Sequence, residues 1–380
     1  MVCYKQAESH TLLVFTYSWL WWATCIAAAN NSLKPGDTLN TTSRLCSEKN
    51  KYCMDFSPIN PSSSVDYTHL RIDDGGDEIV WVANRNQGVD KDSAVLMLNH
   101  SGVLKIESKD AKPIILYSSP QPLNNTEATL LDTGNFVLQQ LHPNGTNTVL
   151  WQSFDYPTDV LLPGMKLGVN HKTGHNWSLV SWLTEKDPRL GAFSLEWGPI
   201  RRELIIKERG RLCWTSGELR NNNGYMYKTN YLVVSNDDES YFTITTSNEE
   251  RTFWTLLETG LLINSNGEEA ARADLCYGYN TDGGCQKWEE IPTCRNPGDT
   301  FEVKELSFNF KHISNLANWS YGPSDCRAIC WKNCTCDGYT DYYEDAGTGC
   351  TFLHLNSTEG DNSATGRAKF LILVKNTNHK

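Results

Sequence analysis

Residues 325–336 read DCRAICWKNCTC, and no other stretch constrains the fold as tightly. Cys326, Cys330 and Cys334 recur every fourth residue, so a short helix places them on one face. Cys336 follows after one further residue, and Cys350 comes after a Gly-Thr-Gly turn. A helix stapled by several sulfurs to nearby strands describes a small extracellular module, because disulfides persist in oxidising compartments. The same spacing permits zinc, but the N-terminus argues for the oxidised alternative.

That N-terminus begins with a mostly polar stretch containing Lys5, followed by the apolar run TLLVFTYSWLWWATC and the small residues Ala27, Ala28 and Ala29. The run is too short for a spanning helix and carries a small-residue cleavage site, so residues 1–29 read as a secretory signal peptide. Cys3 and Cys25 leave with it, and eleven cysteines remain. Nine Asn-x-Ser/Thr sequons follow, at Asn30, Asn40, Asn99, Asn124, Asn144, Asn176, Asn318, Asn333 and Asn356. A glycosylated extracellular surface is the simplest reading of that number. The net charge of −11, with no basic block, argues against nucleic acid or anionic lipid as partners. No second apolar run of spanning length occurs after the leader. The chain as written reads as soluble, either naturally secreted or a receptor cut before its membrane segment.

The remaining pattern is all-β. Residues 77–83, 95–106 and 135–138 are short apolar or β-branched runs bounded by Asn, Gly, Asp or Ser. NHSGVLKIE at 99–107 and LDTGNFVLQ at 131–139 align Gly102 on Gly134, a 32-residue repeat of turn glycine and alternating strand. Repeated strand–turn units that bury no face alone imply a closed, pseudo-symmetric β-architecture. The segment 34–65, rich in Ser, Asn and Pro, lacks a strand-rich opening, so the first sheet is expected to be altered. The polar, aromatic segment 218–242 reads as a candidate binding loop or an ordinary exposed connection.

At this point the residues carry a family resemblance. VWVANRNQGV (80–89), LLDTGNFVLQ (130–139), LWQSFDYPTDVLLPGMKLGVN (150–170) and LVSWLTEKDPRLGAFSLEW (179–197) resemble a plant S-locus glycoprotein, or the ectodomain of an S-domain, G-type (bulb-type lectin) receptor-like kinase. Cys285, Cys294 and the 326–350 cysteines are similar to the degenerate EGF-like region and PAN/apple domain that close such ectodomains. The resemblance implies an all-β fold: two tandem bulb-lectin-like β-prism domains, a degenerate EGF-like piece and a small α+β PAN/apple domain. The expected boundaries are a signal peptide at 1–29, a bulb-type lectin domain at 30–153, an S-locus glycoprotein domain at 154–270, the EGF-like region at 271–295 and PAN/apple at 296–380. It further implies the bridges Cys326–Cys350, Cys330–Cys336 and Cys294–Cys334. Cys276–Cys285 and Cys46–Cys53 are local pairs by proximity, which leaves Cys213 unpaired, as a buried thiol or an intermolecular bridge.

The family's mannose motif is Gln-x-Asp-x-Asn-x-Val-x-Tyr, which aims donors and acceptors from one strand face at adjacent sugar hydroxyls. In the best register here, Leu131, Thr133, Asn135, Val137 and Gln139, only Asn135 and Val137 match. A scaffold that has lost its standard sugar site is therefore expected. His171 and His175 read as a turn rather than metal ligands, and Asp73, Asp74, Asp77 and Glu78 as a hairpin turn rather than a calcium loop. No metal, cofactor or catalytic residue is assigned. No kinase element or hydrolase motif is present either, so no enzyme activity is expected of these residues. The expected role is recognition at the cell surface or in the extracellular space, of pollen or in defence-type signalling. Expected partners are a peptide, lipid-like or glycan ligand, a membrane receptor, or a second copy in a homodimer. The alternatives are a lectin using non-standard contacts and a truncated receptor serine/threonine kinase.

Overall fold

The computed structural model describes residues 31–59, 67–76, 78–246, 251–308, 313–354 and 366–376. The leader, the sequons at Asn30 and Asn356, and Asp77 lie outside the described residues.

Short antiparallel strands dominate, because β-branched and aromatic residues alternate with polar ones over runs of a few residues between turn signals. The first unit has three sheets. One joins Ser32–Leu33, Thr126–Leu130, Phe136–Leu141 and Asn147–Gln152; a second joins Ile114–Tyr117, Leu104–Glu107, Val95–Leu98 and Thr38–Asn40. The third joins Leu45–Cys46, Cys53–Ser57, Tyr67–Asp73 and Ile79–Val82, with Val89–Asp90 paired to the start of Tyr67–Asp73.

The second unit repeats the plan. Val160–Leu161 pairs with Trp254–Leu256 and continues to Leu261–Asn264 and Glu269–Arg272, just as Ser32–Leu33 opens the sheet that closes the first unit. The meander Leu179–Thr184, Asp187–Gly198, Glu203–Glu208 and Arg211–Thr215 forms another sheet. The remaining sheet differs in order. Thr38–Asn40 pairs with the first strand of its meander, whereas Leu167–Asn170 pairs with the last, Glu239–Thr245. Both units are β-prisms, and their buried side chains form one continuous core from Leu33 to Cys285. Trp214, Trp254, Phe136, Phe193 and Phe242 are fully buried in it, and each such ring removes roughly 150–250 Å² from water.

The 32-residue repeat appears as one recurring turn. Asn99 N–H donates to Val103 O (3.0 Å) and Gly102 N–H to Asn99 O (3.0 Å); Leu131 and Gly134 make the equivalent bonds at 3.0 and 2.9 Å. Gly102 and Gly134 have φ of 78° and 85°, where a Cβ costs about 1 kcal/mol or more.

Two expectations from the sequence are corrected. Segment 34–65 is not short of strands: Thr38–Asn40, Leu45–Cys46 and Cys53–Ser57 lie in it. They are brief and depend on distant partners (Cys53 pairs with Asp73, Thr38 with Met97), so local pattern conceals them. Segment 218–242 is not an open loop: Asn223–Met226 and Thr229–Ser235 form a hairpin closed at Tyr227 and Lys228, both with positive φ.

After the prisms, Cys276–Cys285 ties an irregular segment. A five-stranded antiparallel sheet follows, ordered Thr300–Phe308, Gly366–Val374, Gly338–Tyr343, Thr348–Leu353 and Ile313–Leu316, with the helix Pro323–Lys332 packed on it. Pro323 opens the helix and Asp325 accepts from the Gly322 N–H at 3.0 Å. Cys326 and Cys330 share its buried face and bond to Cys350 and Cys336. Cys334 lies beyond the helix end, joined to Cys294. Arg295, next to Cys294, donates to the carbonyls of Cys330, Trp331, Asn333 and Cys336 at 2.8–3.2 Å, supplying partners and positive charge to the helix C-terminus. Cys46–Cys53 is the fifth bridge.

Candidate recognition site

The strand face matched to the mannose motif is occupied from within. Asn135 is 8% exposed; its amide donates to Gln152 Oε1 (2.9 Å), and its carbonyl oxygen accepts from Ser153 Oγ (3.2 Å) and Phe154 N–H (3.3 Å). Val137 is buried. Asn99, which takes the place of Leu131 in the first repeat, accepts from the backbone N–H groups of Ser101 and Val103 at 2.9 Å each. These side chains hold turns together and offer little to a sugar.

A different concavity opens where all three units meet. It encloses about 500 Å³ and is lined by Ile59, Tyr67, His69, Arg85, Asn86 and Gly88 from the first prism, residues 186–189 from the second, and Trp319, Asp345 and Ala346 from the C-terminal unit. Alternation along Tyr67–Asp73 turns Tyr67 outward and Thr68 inward. The Tyr67 ring lies over Gly88, where a Cβ would sit 2.5 Å from it, so glycine is required there. Arg85 forms the floor and bonds the first two units: its guanidinium donates to Pro188 O (2.7 Å), Val180 O (3.0 Å) and Ser181 O (2.9 Å). Arg189 chelates Asp187 and donates to Trp319 O at 2.8 Å, which ties the third unit to the second. The Trp319 ring stacks on Tyr343 with centroids 3.7 Å apart. Thr184 Oγ1 completes the wall by donating to Ala346 O at 3.0 Å.

Two exposed rings mark this cleft for binding. Tyr67 and Trp319 remain 49% and 51% exposed on a rigid frame. His69 is 5% exposed, and its Nδ1 has no hydrogen-bond partner. Burial pushes the imidazole pKa down to about 4 against a weaker upward pull from Asp187, so the ring is neutral at physiological pH. Nδ1 is closed off from solvent, so its missing partner is a desolvation cost within the fold and not a point of contact for a ligand.

The other candidates resolve into structure. His171 is exposed on a hairpin turn, and His175 Nε2 lies 2.7 Å from Asp155 O. Arg44 Nη2 bonds both carboxylate oxygens of Asp73 (2.8 and 2.6 Å), and Asp74 pairs with Arg251; each also accepts from a turn glycine N–H, so this is a hairpin turn. Glu78 borders a separate small cavity with Asp159, Glu185 and Glu258. Among the described residues no group of three His, Cys, Asp or Glu side chains is placed to hold a metal. Cys213 is fully buried and unbridged. Of the described sequons, Asn40, Asn124, Asn144, Asn176 and Asn333 are exposed, and Asn99 and Asn318 half-buried. Asn124 lines a second concavity with His100, Asn125 and Pro143, and the sequon residues Asn99 and Asn144 adjoin His100 and Pro143 in sequence, so attached glycans would crowd a ligand there. Sequence reasoning missed the cleft, whose only local signals are an outward aromatic in YTHLRID and a tryptophan inside a sequon.

Residues 78–183 match the D-mannose binding lectin family, so the chain carries a bulb-type lectin domain. Over most of its length it is similar to G-type lectin S-receptor-like kinases and to an S-locus-specific glycoprotein. It is 32% identical over 330 residues to a G-type lectin S-receptor-like serine/threonine-protein kinase of Arabidopsis thaliana, covering 81% of this chain and 38% of that protein. It is 26% identical over 330 residues to an S-locus-specific glycoprotein of Brassica oleracea, covering 71% of this chain and 74% of the relative. The chain thus spans about two fifths of the receptor kinase it matches. A solved mannose-binding lectin from Gastrodia elata superposes with a TM-score of 0.24 at 17% identity, covering 33% of this chain and 96% of that one. No helix among the described residues is long and apolar enough to cross a membrane.

Proposed function

We propose that this chain is a secreted or cell-surface recognition glycoprotein, an S-domain ectodomain that binds an extracellular ligand without chemical transformation of it. The boundaries 30–153, 154–270, 271–295 and 296–380 are proposed as its functional divisions. The cleft at the junction of the three units carries this reading: two half-exposed aromatic rings line it together with the exposed Asn86. Its walls come from all three units, so ligand contacts also bear on how the units sit together. Pollen recognition and defence-type signalling both suit such a binder, and the kinship with receptor kinases and an S-locus glycoprotein supports the receptor context. A pairing receptor or a second copy of the chain completes the proposal.

Hydroxyl-radical footprinting tests it. The purified chain is exposed to the dialysable and the retained fractions of extracellular fluid from the expressing tissue. Protection of Tyr67 and Trp319 by either fraction is the expected result. Protection confined to other surfaces, or none from either fraction, overturns the cleft as the recognition site.

A further inference from the structure

The cleft's lining selects among ligand chemistries. A lipid chain needs a continuous wall of aliphatic carbon, yet here Ile59, Pro188 and Ala346 are interleaved with Arg85, Lys186, Asp187, Arg189 and Asp345. A highly charged peptide needs an unbalanced field. Here Arg189 is neutralised by Asp187, and three Arg85 N–H groups are held by backbone carbonyls. Lys186 and Asp345, both exposed, are of opposite sign and offset each other. What remains is a neutral, mixed set: the exposed amide of Asn86, one ammonium, one carboxylate, two aromatic faces and the small apolar surfaces of Ile59, Pro188 and Ala346. Hydroxyls both donate and accept, so they answer every polar member of that set, and the C–H face of a pyranose ring packs on an aromatic ring.

Resting on the recognition reading above, we propose that the three-unit cleft is a saccharide-binding site, with Tyr67 and Trp319 as its ring platforms and Asn86 as its hydroxyl partner. It is separate from the bulb-type strand face, whose Asn135 is engaged internally. The saccharide has two possible sources of one chemistry. It is either an oligosaccharide free or borne by a partner, or the glycan on this chain's own sequon at Asn318, the residue before Trp319.

The test is calorimetric titration of the full glycosylated chain with mannotriose, cellotriose, xylotriose and chitotriose, with trigalacturonate as the charged control. At least one neutral trisaccharide is expected to bind the wild type or Asn318→Gln. Trp319→Ala weakens that binding at least tenfold and Asn86→Ala several-fold, each with an unchanged melting temperature. Tighter binding to Asn318→Gln identifies the chain's own glycan as the resident occupant; equal binding identifies a separate saccharide, and both outcomes support the site. Absence of neutral-saccharide binding to both forms overturns the proposal, as does binding that survives both alanine substitutions. If the retained fluid fraction still protects Tyr67 and Trp319 in the footprint, recognition stands with a different ligand class. If no fraction protects them and neither form binds a neutral saccharide, both readings fall.

Discussion

Arg327 and Glu208, separated by 119 residues, meet at 2.9 Å in a pair buried between the second prism and the C-terminal helix. Arg327 also donates to Asp274 O at 2.8 Å, and Glu208 also accepts from Arg211 at 2.7 Å. Beside them Arg209 holds both oxygens of Asp325 at 2.7 Å each. These contacts fix the unit that contributes Trp319 to the cleft.

Removing one member of the buried pair leaves the other charge without its partner. Arg327→Leu and Glu208→Leu are each expected to lower stability by about 3–5 kcal/mol, and the double variant by much less than the sum. Equilibrium denaturation of the four proteins measures the coupling. Additive losses would show that the two side chains act independently.

Two buried carboxylates give opposite pH dependences. For Glu208, burial favours the neutral form, but Arg327 and Arg211 outweigh it and hold the pKa below the usual glutamate value. Its contribution is full above about pH 4.5 and is lost as pH falls through the lowered pKa. For Asp159, burial dominates and pushes the pKa up to about 6, against the opposing pull of Arg85 and the bond from Trp182. Its favourable contribution is complete below about pH 4 and is lost as pH rises through about 6. Asp159→Asn should therefore flatten the melting temperature between pH 4 and 6 relative to wild type. An unchanged slope would refute the assignment.

The bridges differ in the loops they close. Cys294–Cys334 spans 40 residues and Cys330–Cys336 spans 6. If constraint of the unfolded chain dominates, replacing both cysteines by alanine costs about 4 kcal/mol for the first and about 2 for the second. Equal losses in chemical denaturation would place the effect in native packing instead.

Cys213 is expected to be inert. It has no exposed surface, and burial pushes its thiol pKa up to about 11, so the reactive thiolate is scarce at neutral pH. Iodoacetamide should label no thiol in the native mature chain and one in denaturant, and non-reducing electrophoresis should show a monomer. A covalent dimer that disappears in Cys213→Ala would reverse this conclusion.

The sequence by itself determined what neighbouring residues encode. Alternation specified the strands, and Gly102 and Gly134 specified matching turns because only a residue without a Cβ adopts their positive φ freely. Pro323 and Asp325 opened the helix that carries Cys326 and Cys330. Only the tertiary structure decided the rest. Ser32 finds Thr129, Arg85 reaches carbonyls about a hundred residues away, and Asn135 turns its amide toward Gln152 instead of solvent. The cleft itself exists because Tyr67, Asp187 and Trp319, widely separated along the chain, are brought to one junction by burial of an extended core and a few buried charges. Local pattern reports which face of a strand is apolar; which distant group covers that face, and which polar atom is left without a partner, is settled only when the units pack.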